Sequence, residues 1–378
     1  MMMKKILKKS VAVKILVGIV TVVCLLVLLA ELVLHFWAPL GGKTNKNDRE
    51  DYAKRADNFK DGIFQNTKHF EMIDRTKDQN VYFSEKDVIP KESLEAAVPD
   101  FPEKPEKEDL TVTWLGHSTL LLQMSGMNIL TDPVFSDYAS PLRGAGPERF
   151  SELPLEIEEL PDIDIVLITH DHYDHLDYHS IRKLKDKVGV FIVPLGIEKH
   201  LERWGVKEEQ IYNMAWWEEY RINDLTIALT PARHYSGRSI NDRFQTLWGS
   251  YVLQNENYKV YESGDSGYDD HFQKIQEKYG DFDLVLMECG QYNTMWPSTH
   301  MTPEFSVQAS TELHAKAAMP IHWGTFKLSS HPWDDPVERF IKKALEENLA
   351  AITPKIGETV NYGEYDRYID HKWWEDIE

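Results

Sequence analysis

Three histidines and two aspartates fall within six consecutive positions of Thr169-His170-Asp171-His172-Tyr173-Asp174-His175, directly behind an apolar, β-branched run at 163–169. Such a run reads as a buried strand, so the loop that leaves it starts inside the protein. Burying these groups unpaired costs about 1–3 kcal/mol or more for each, and a bound cation removes that penalty. In an extended segment His170 and His172 project to the same side. Asp174 and His175 follow a turn and reach a second centre beside the first. Imidazole and carboxylate donors without thiolates suit Zn²⁺, and Fe or Mn would also accept them. A histidine-rich surface loop is the bland alternative.

Two cations need about seven protein donors, and the remainder are expected at the ends of downstream strands. His234 follows the apolar run 225–230. Asp265 follows 259–263 in Glu262-Ser263-Gly264-Asp265-Ser266-Gly267, and His322 closes 318–322 ahead of Trp323-Gly324. Strand carboxyl ends are where open α/β sheets place their sites. Taken singly, a turn aspartate or a lone histidine is more often structural; beside the first cluster all three read as ligands.

The pattern along the chain is α/β. Runs at 111–115, 118–123 and 128–131, separated by Gly116-His117 and Ser125-Gly126, predict an antiparallel meander. A Pro- and Gly-rich loop over 132–161 is too long for a mere connection and is expected to wall a site. Strands at 188–193, 225–230, 250–253, 259–263, 284–288 and 318–322 then alternate with helices near 197–204, 271–279, 303–314 and 336–347, so mixed sheets covered by helices are expected. No internal repeat is visible in the sequence. The cysteines, Cys24 and Cys289, define no disulfide framework.

From 15 to 37 the chain is almost wholly apolar, and a helix of that length rises about 34 Å, enough to cross a bilayer. A cleavable signal would be shorter and end in small residues, a pattern that Ala30 and Ala38 do not form. Lys4, Lys5, Lys8, Lys9 and Lys14 precede the span, whereas charges of both signs follow it, so the amino terminus is expected in the cytoplasm. The expected organisation is a basic flank at 1–14, a single-pass anchor at 15–37, an extension at 38–109 and a catalytic domain at 110–378 on the extracytoplasmic side. With a chain net charge of −20 and a lysine-rich first segment, the body is strongly acidic. Such a body disfavours a nucleic-acid partner.

Trp114-Leu115-Gly116-His117-Ser118, Thr131-Asp132-Pro133, Gly146-Pro147-Glu148-Arg149-Phe150 and the run from Ile168 to Asp177 carry a resemblance. With the ligand candidates above, residues 111–362 resemble the metallo-β-lactamase superfamily, within it the N-acylphosphatidylethanolamine-hydrolysing phospholipase D branch. Gly62-Ile63-Phe64-Gln65-Asn66 also resembles a segment that precedes the domain in that branch, so residues 60–109 are expected to dock. The resemblance implies an αββα sandwich and two Zn²⁺ ions. It implies that His170, His172 and His234 hold one, that Asp174, His175 and His322 hold the other, and that Asp265 bridges them. His300, in Thr299-His300-Met301-Thr302-Pro303, falls at a further active-site histidine; its ordinary reading is a residue beside a helix start. Asp174 and His300 are the expected catalytic residues.

The reaction implied is water-driven cleavage of N-acylphosphatidylethanolamine to phosphatidic acid and an N-acylethanolamine. Three alternatives stay open: a lactonase, a phosphodiesterase for a soluble substrate, and a membrane-tethered binding module without turnover. Specificity is expected in the loops 132–161 and 291–300. Trp216, Trp217, Trp248, Trp296 and Trp333 sit in or beside predicted loops, where they suit either core packing or a lipid interface. The sequence carries no reading of oligomeric state.

Overall fold

The computed structural model of the protein describes residues 2–73, 87–375 and 377. Helix α1 (Met2–Phe36) leads the chain, and its stretch Val13–Leu34 is long and apolar enough to cross a membrane, with none of it buried. Helix α2 (Lys46–Arg55) and a ribbon of β1 (Phe59–Lys60) and β2 (Ile63–Phe64) follow. The first large sheet takes β3 (Leu110–Trp114), β4 (Leu120–Met124), β5 (Met127–Thr131), β6 (Ile163–Leu167), β7 (Val188–Pro194) and β8 (Ile211–Met214). Helices α3 (Tyr178–Leu184) and α4 (Glu198–Trp204) connect its last strands. The second takes β9 (Glu219–Ile222), β10 (Leu225–Thr230), β11 (Ser250–Gln254), β12 (Lys259–Glu262), β13 (Phe282–Glu288), β14 (Ala315–Ile321) and β15 (Ala350–Ala351). Helices α5 (His271–Tyr279), α6 (Pro303–Glu312) and α7 (Asp335–Glu347) connect its later strands. Strand β16 (Thr359–Asn361) returns to the edge of the first sheet.

Period-two alternation sorts the apolar residues into layers. Leu120 and Leu122, Ile165 and Leu167, and Ile192 join one buried cluster with the second sheet, while Leu121, Val166, Phe191 and Val193 join another with Ile181, Leu184, Leu201 and Trp204 of α3 and α4. On the far side, α7 buries Val337, Phe340, Ile341 and Ala344, one face at helical spacing. The outcome is the expected αββα sandwich.

Both sheets have the same plan. The first runs β16-β3-β4-β5-β6-β7-β8 and the second β9-β10-β11-β12-β13-β14-β15. In each, the first four strands pair antiparallel and the rest pair parallel. This duplication is one of pairing, which explains why no repeat is visible in the sequence. Strands β8, β9, β15 and β16 and helix α3 were not foreseen; β9 and β16 lack the clean in-out alternation that announces a strand.

The extension docks where it is described; residues 74–86 of the expected docking segment lie outside the described residues. Asn45 and Asp48 form a capping box that starts α2. The Tyr52 hydroxyl donates to Glu198, and Arg55 donates to Glu218 Oε2 at 2.6 Å and to the Asn213 carbonyl at 2.8 Å. Phe59 and Phe64 enter the main core. Further on, Leu94 N donates to the Phe150 carbonyl at 3.0 Å and Ala97 N to that of Ile356 at 2.7 Å. Phe64 is fully buried, so Phe64→Ala should lower the unfolding free energy by about 3–5 kcal/mol. Urea titration of the detergent-solubilised chain measures this, and an unchanged midpoint would mean that the extension does not dock in solution.

Candidate metal centre

Strands β3, β5 and β6 run parallel to one another, as do β10, β12, β13 and β14, so each set ends at one edge of its sheet. Behind those ends lie His117, Asp132 and the His170–His175 loop from the first sheet, and His234, Asp265, Glu288 and His322 from the second. The loop turns through bonds from His175 N (3.1 Å) and Leu176 N (2.8 Å) to the His172 carbonyl. That turn separates the His170–His172 pair from Asp174 and His175, as the spacing predicts.

The seven expected ligands converge in two groups. In one, His170 Nε2 lies 2.9 Å and His234 Nε2 3.2 Å from His172 Nδ1. In the other, Asp174 Oδ2 lies 3.4 Å from His175 Nε2, and His175 and His322 each place a ring nitrogen 3.2 Å from Asp265 Oδ1. The opposite oxygen, Asp265 Oδ2, is 3.8 Å from both His170 Nε2 and His234 Nε2. One carboxylate thus turns an oxygen toward each group.

The outward ring nitrogens decide what the inward ones carry. His175 Nδ1 faces Asp132 Oδ2 at 2.7 Å, His234 Nδ1 faces the Thr299 carbonyl at 3.0 Å, and His170 Nδ1 faces Thr169 Oγ1 at 3.0 Å, whose own hydrogen goes to Asp132. Each acceptor holds a ring proton outside, and on His170 and His234 this leaves the Nε2 lone pair pointing inward. Lone pairs 3 Å apart repel unless a cation sits among them. His175 Nε2, His322 Nε2 and Asp265 Oδ1 are also buried without an aligned hydrogen bond. These orphaned donors form clusters able to hold metal ions.

Electrostatics point the same way. Burial holds His170 and His234 well below the ordinary imidazole value and His172 down at about 4, so all three keep their lone pairs. Burial also opposes charge on His175, yet the carboxylates of Asp265, Asp174 and Asp132 raise it well above that value. Burial pushes Asp265 up to about 6. Carboxylates this crowded in a dry site call for positive charge.

His300 stands beside the clusters. Its Nδ1 is 2.9 Å from Glu288 Oε2 and its Nε2 is 3.9 Å from Asp265 Oδ2. A cavity of about 720 Å³ opens over His172, Asp174, Asp265 and His300. Its walls take Ala139 and Pro147 from the 132–161 loop and Gln291, Trp296 and Thr299 from the 291–300 loop, the two segments expected to carry specificity. Of the five tryptophans weighed for a lipid interface, Trp296 lines this cavity. Trp248 is core, and Trp216, Trp217 and Trp333 pack against it.

Sequence reasoning assigned no role to His117, Asp132 or Glu288. His117 Nε2 is 3.1 Å from Asp174 Oδ2, Asp132 orients both His175 and Thr169, and Glu288 orients His300. Two of them share a backbone feature with His322: His117, Asp132 and His322 have φ of 53°, 37° and 68°. Such left-handed conformations cost about 1–3 kcal/mol each and gather at functional sites. Gly290 is needed for close approach, since a Cβ there would sit 2.1 Å from the His322 carbonyl oxygen.

This fold and this donor set define a class. A model of the beta-lactamase superfamily domain matches residues 127–323, over half of the chain. The chain belongs to the metallo-β-lactamase superfamily and is a metal-dependent hydrolase. It is 42% identical over 272 residues to an uncharacterized protein of Mycobacterium tuberculosis, covering 70% of this chain and 72% of that one. It is 36% identical over 234 residues to N-acyl-phosphatidylethanolamine-hydrolyzing phospholipase D 1 of Caenorhabditis elegans, covering 58% and 65%. Among solved structures, Igni18, a metallo hydrolase from Ignicoccus hospitalis, superposes with a TM-score of 0.53 at 24% identity, over 67% of this chain and 98% of that one. That likeness shows the fold.

Because Asp132 holds the outward proton of His175, Asp132→Asn should weaken metal binding by about 10–100-fold. Competitive chelator titration with elemental analysis reads the loss, and wild-type affinity would remove Asp132 from the site's support. Asp265→Ala should release metal from both groups together, whereas loss of a single equivalent would argue against a bridging carboxylate.

Proposed function

We propose that this chain is a membrane-anchored phosphodiesterase of phospholipase D type that hydrolyses N-acylphosphatidylethanolamine-like lipids. The observation that carries the reading is Asp265, whose two oxygens face separate histidine groups at the floor of one cavity. The relative that hydrolyses such lipids supports the substrate. His170, His172 and His234 would hold one Zn²⁺, and Asp174, His175 and His322 the other, with Asp265 between them. When bound, such a pair makes water ionisable near neutral pH and neutralises charge on a reacting phosphate.

The residues then divide the work. Water attacks phosphorus, the bond from phosphorus to the ethanolamine oxygen breaks, and a proton must reach that oxygen. His300, fixed by Glu288 and turned toward Asp265 and the cavity, is placed to deliver it. Asp174 acts as a ligand that His117 keeps in position. The lipid is held where α1 crosses the bilayer, with the amino terminus in the cytoplasm and the site on the extracytoplasmic face.

Incubating the metal-loaded chain with a membrane-lipid panel, an acyl lactone and an aryl phosphodiester should yield phosphatidic acid and N-acylethanolamine by mass spectrometry. Turnover of the lactone alone would overturn the phosphodiester reading. His300→Ala should lower kcat by about 10²–10⁴-fold with bound metal unchanged; loss of metal would make His300 a ligand.

A further inference from the structure

The cavity above the metal groups has a wall that a soluble hydrolase has no reason to build. Opposite His172, Asp174, Asp265 and His300, it is lined by Val33 and Leu34 of α1 and by Trp37 and Leu40 just behind the helix. Val33 and Leu34 end the apolar stretch Val13–Leu34. The lining adds Ile73 and Ile240, 45% and 83% exposed, which extend the apolar surface beside Val33 and Leu34. Arg243 adds a guanidinium to the same lining.

This wall is seated on the catalytic domain. Arg238 is buried, donates from Nε and Nη2 to the Pro39 carbonyl at 3.2 and 2.9 Å, and donates from Nη1 to the Asp171 and Leu176 carbonyls, both at 2.7 Å. A single guanidinium therefore ties the segment behind α1 to both ends of the metal loop. Its Cζ lies 4.1 Å from the centroid of the Tyr173 ring, whose hydroxyl donates back to the Arg238 carbonyl. Trp204 Nε1 donates to the Ala38 carbonyl at 2.8 Å. Gly41 and Gly42 complete the seat: a Cβ at either would lie 2.0 Å from His200 Nδ1 or 1.9 Å from the Lys199 carbonyl oxygen. Asp171 links this seat to the site, accepting from Gly237 N at 2.7 Å and Thr246 Oγ1 at 2.9 Å between ligands His170 and His172.

We propose that residues 33–40 are a working part of the active site, forming the wall along which the acyl chains of a lipid pass from the leaflet where α1 emerges to the metal groups. The inference deepens the phosphodiesterase reading and rests on it for the reaction, though not for the path. It commits the cavity to one occupant, an acyl chain from the same bilayer. The continuity of the membrane-length helix with the cavity lining is the ground for that choice: a chain leaving the bilayer beside α1 meets Val33, Leu34, Trp37 and Leu40 on its way to the site.

The test uses the full chain reconstituted in phosphatidylcholine vesicles containing an N-acylphosphatidylethanolamine with a photoactivatable diazirine in one acyl chain. After illumination, peptide mapping should find adducts at Leu40, at Ile240 and at Tyr235, which lines the same cavity, as well as on α1. Adducts confined to Val13–Leu34 would overturn the proposal, since that stretch meets lipid in any anchored protein. Leu34→Asp should raise KM for the vesicle lipid at least tenfold with bound metal at the wild-type level, and an unchanged KM would also overturn it. The two readings fail separately. Adducts in the cavity without hydrolysis uphold the lipid path and sink the phosphodiesterase, whereas hydrolysis without those adducts does the reverse.

Discussion

Repulsion among imidazole lone pairs is the constraint around which this structure is arranged. His170 and His234 bring ring nitrogens within 2.9–3.2 Å of His172 Nδ1 in a buried site. Left alone, such a cluster would protonate or splay. It does neither, because acceptors on the far side of two of the rings, Thr169 Oγ1 behind His170 and the Thr299 carbonyl behind His234, hold the protons outside. Burial keeps the rings neutral. The protein meets the cost of a site that is favourable with a cation and strained without one.

The duplicated sheet plan supplies the frame. The strands that carry the candidate ligands run parallel to one another in each sheet, so donors far apart in the chain arrive at one edge, and Asp265 from the second sheet reaches the histidines of the first. Left-handed backbone at His117, Asp132 and His322 turns side chains inward immediately after their strands. That local cost is affordable because two apolar layers, one between the sheets and one under α3 and α4, fix the strands beneath.

The anchor is integrated into the same frame. Arg238 donates to the segment behind α1 and to both ends of the His170–His175 loop, so one buried side chain joins the end of the apolar helix to the candidate site.

Much of this was legible in the residues. The His170–His175 loop announces itself because its donors are contiguous and follow a strong β-branched run, and His234, Asp265 and His322 stand out as polar residues at the ends of apolar runs. The strands 111–115, 128–131 and 225–230 were legible as β-branched and apolar runs, because nearly every residue in them is buried. Strands β9 and β16 were not, since partly exposed edge strands lack such a run. His117, Asp132 and Glu288 are single polar residues whose part is to orient another side chain, and a pairwise contact across the fold leaves no local pattern. The sequence by itself determined which donors exist, in what order, and that an apolar helix precedes them. Only the tertiary structure decided which lone pairs face one another, that one carboxylate lies between two groups, and that the helix end lines their cavity. Those facts depend on distances between strands and loops that are remote in the chain, and packing alone sets such distances.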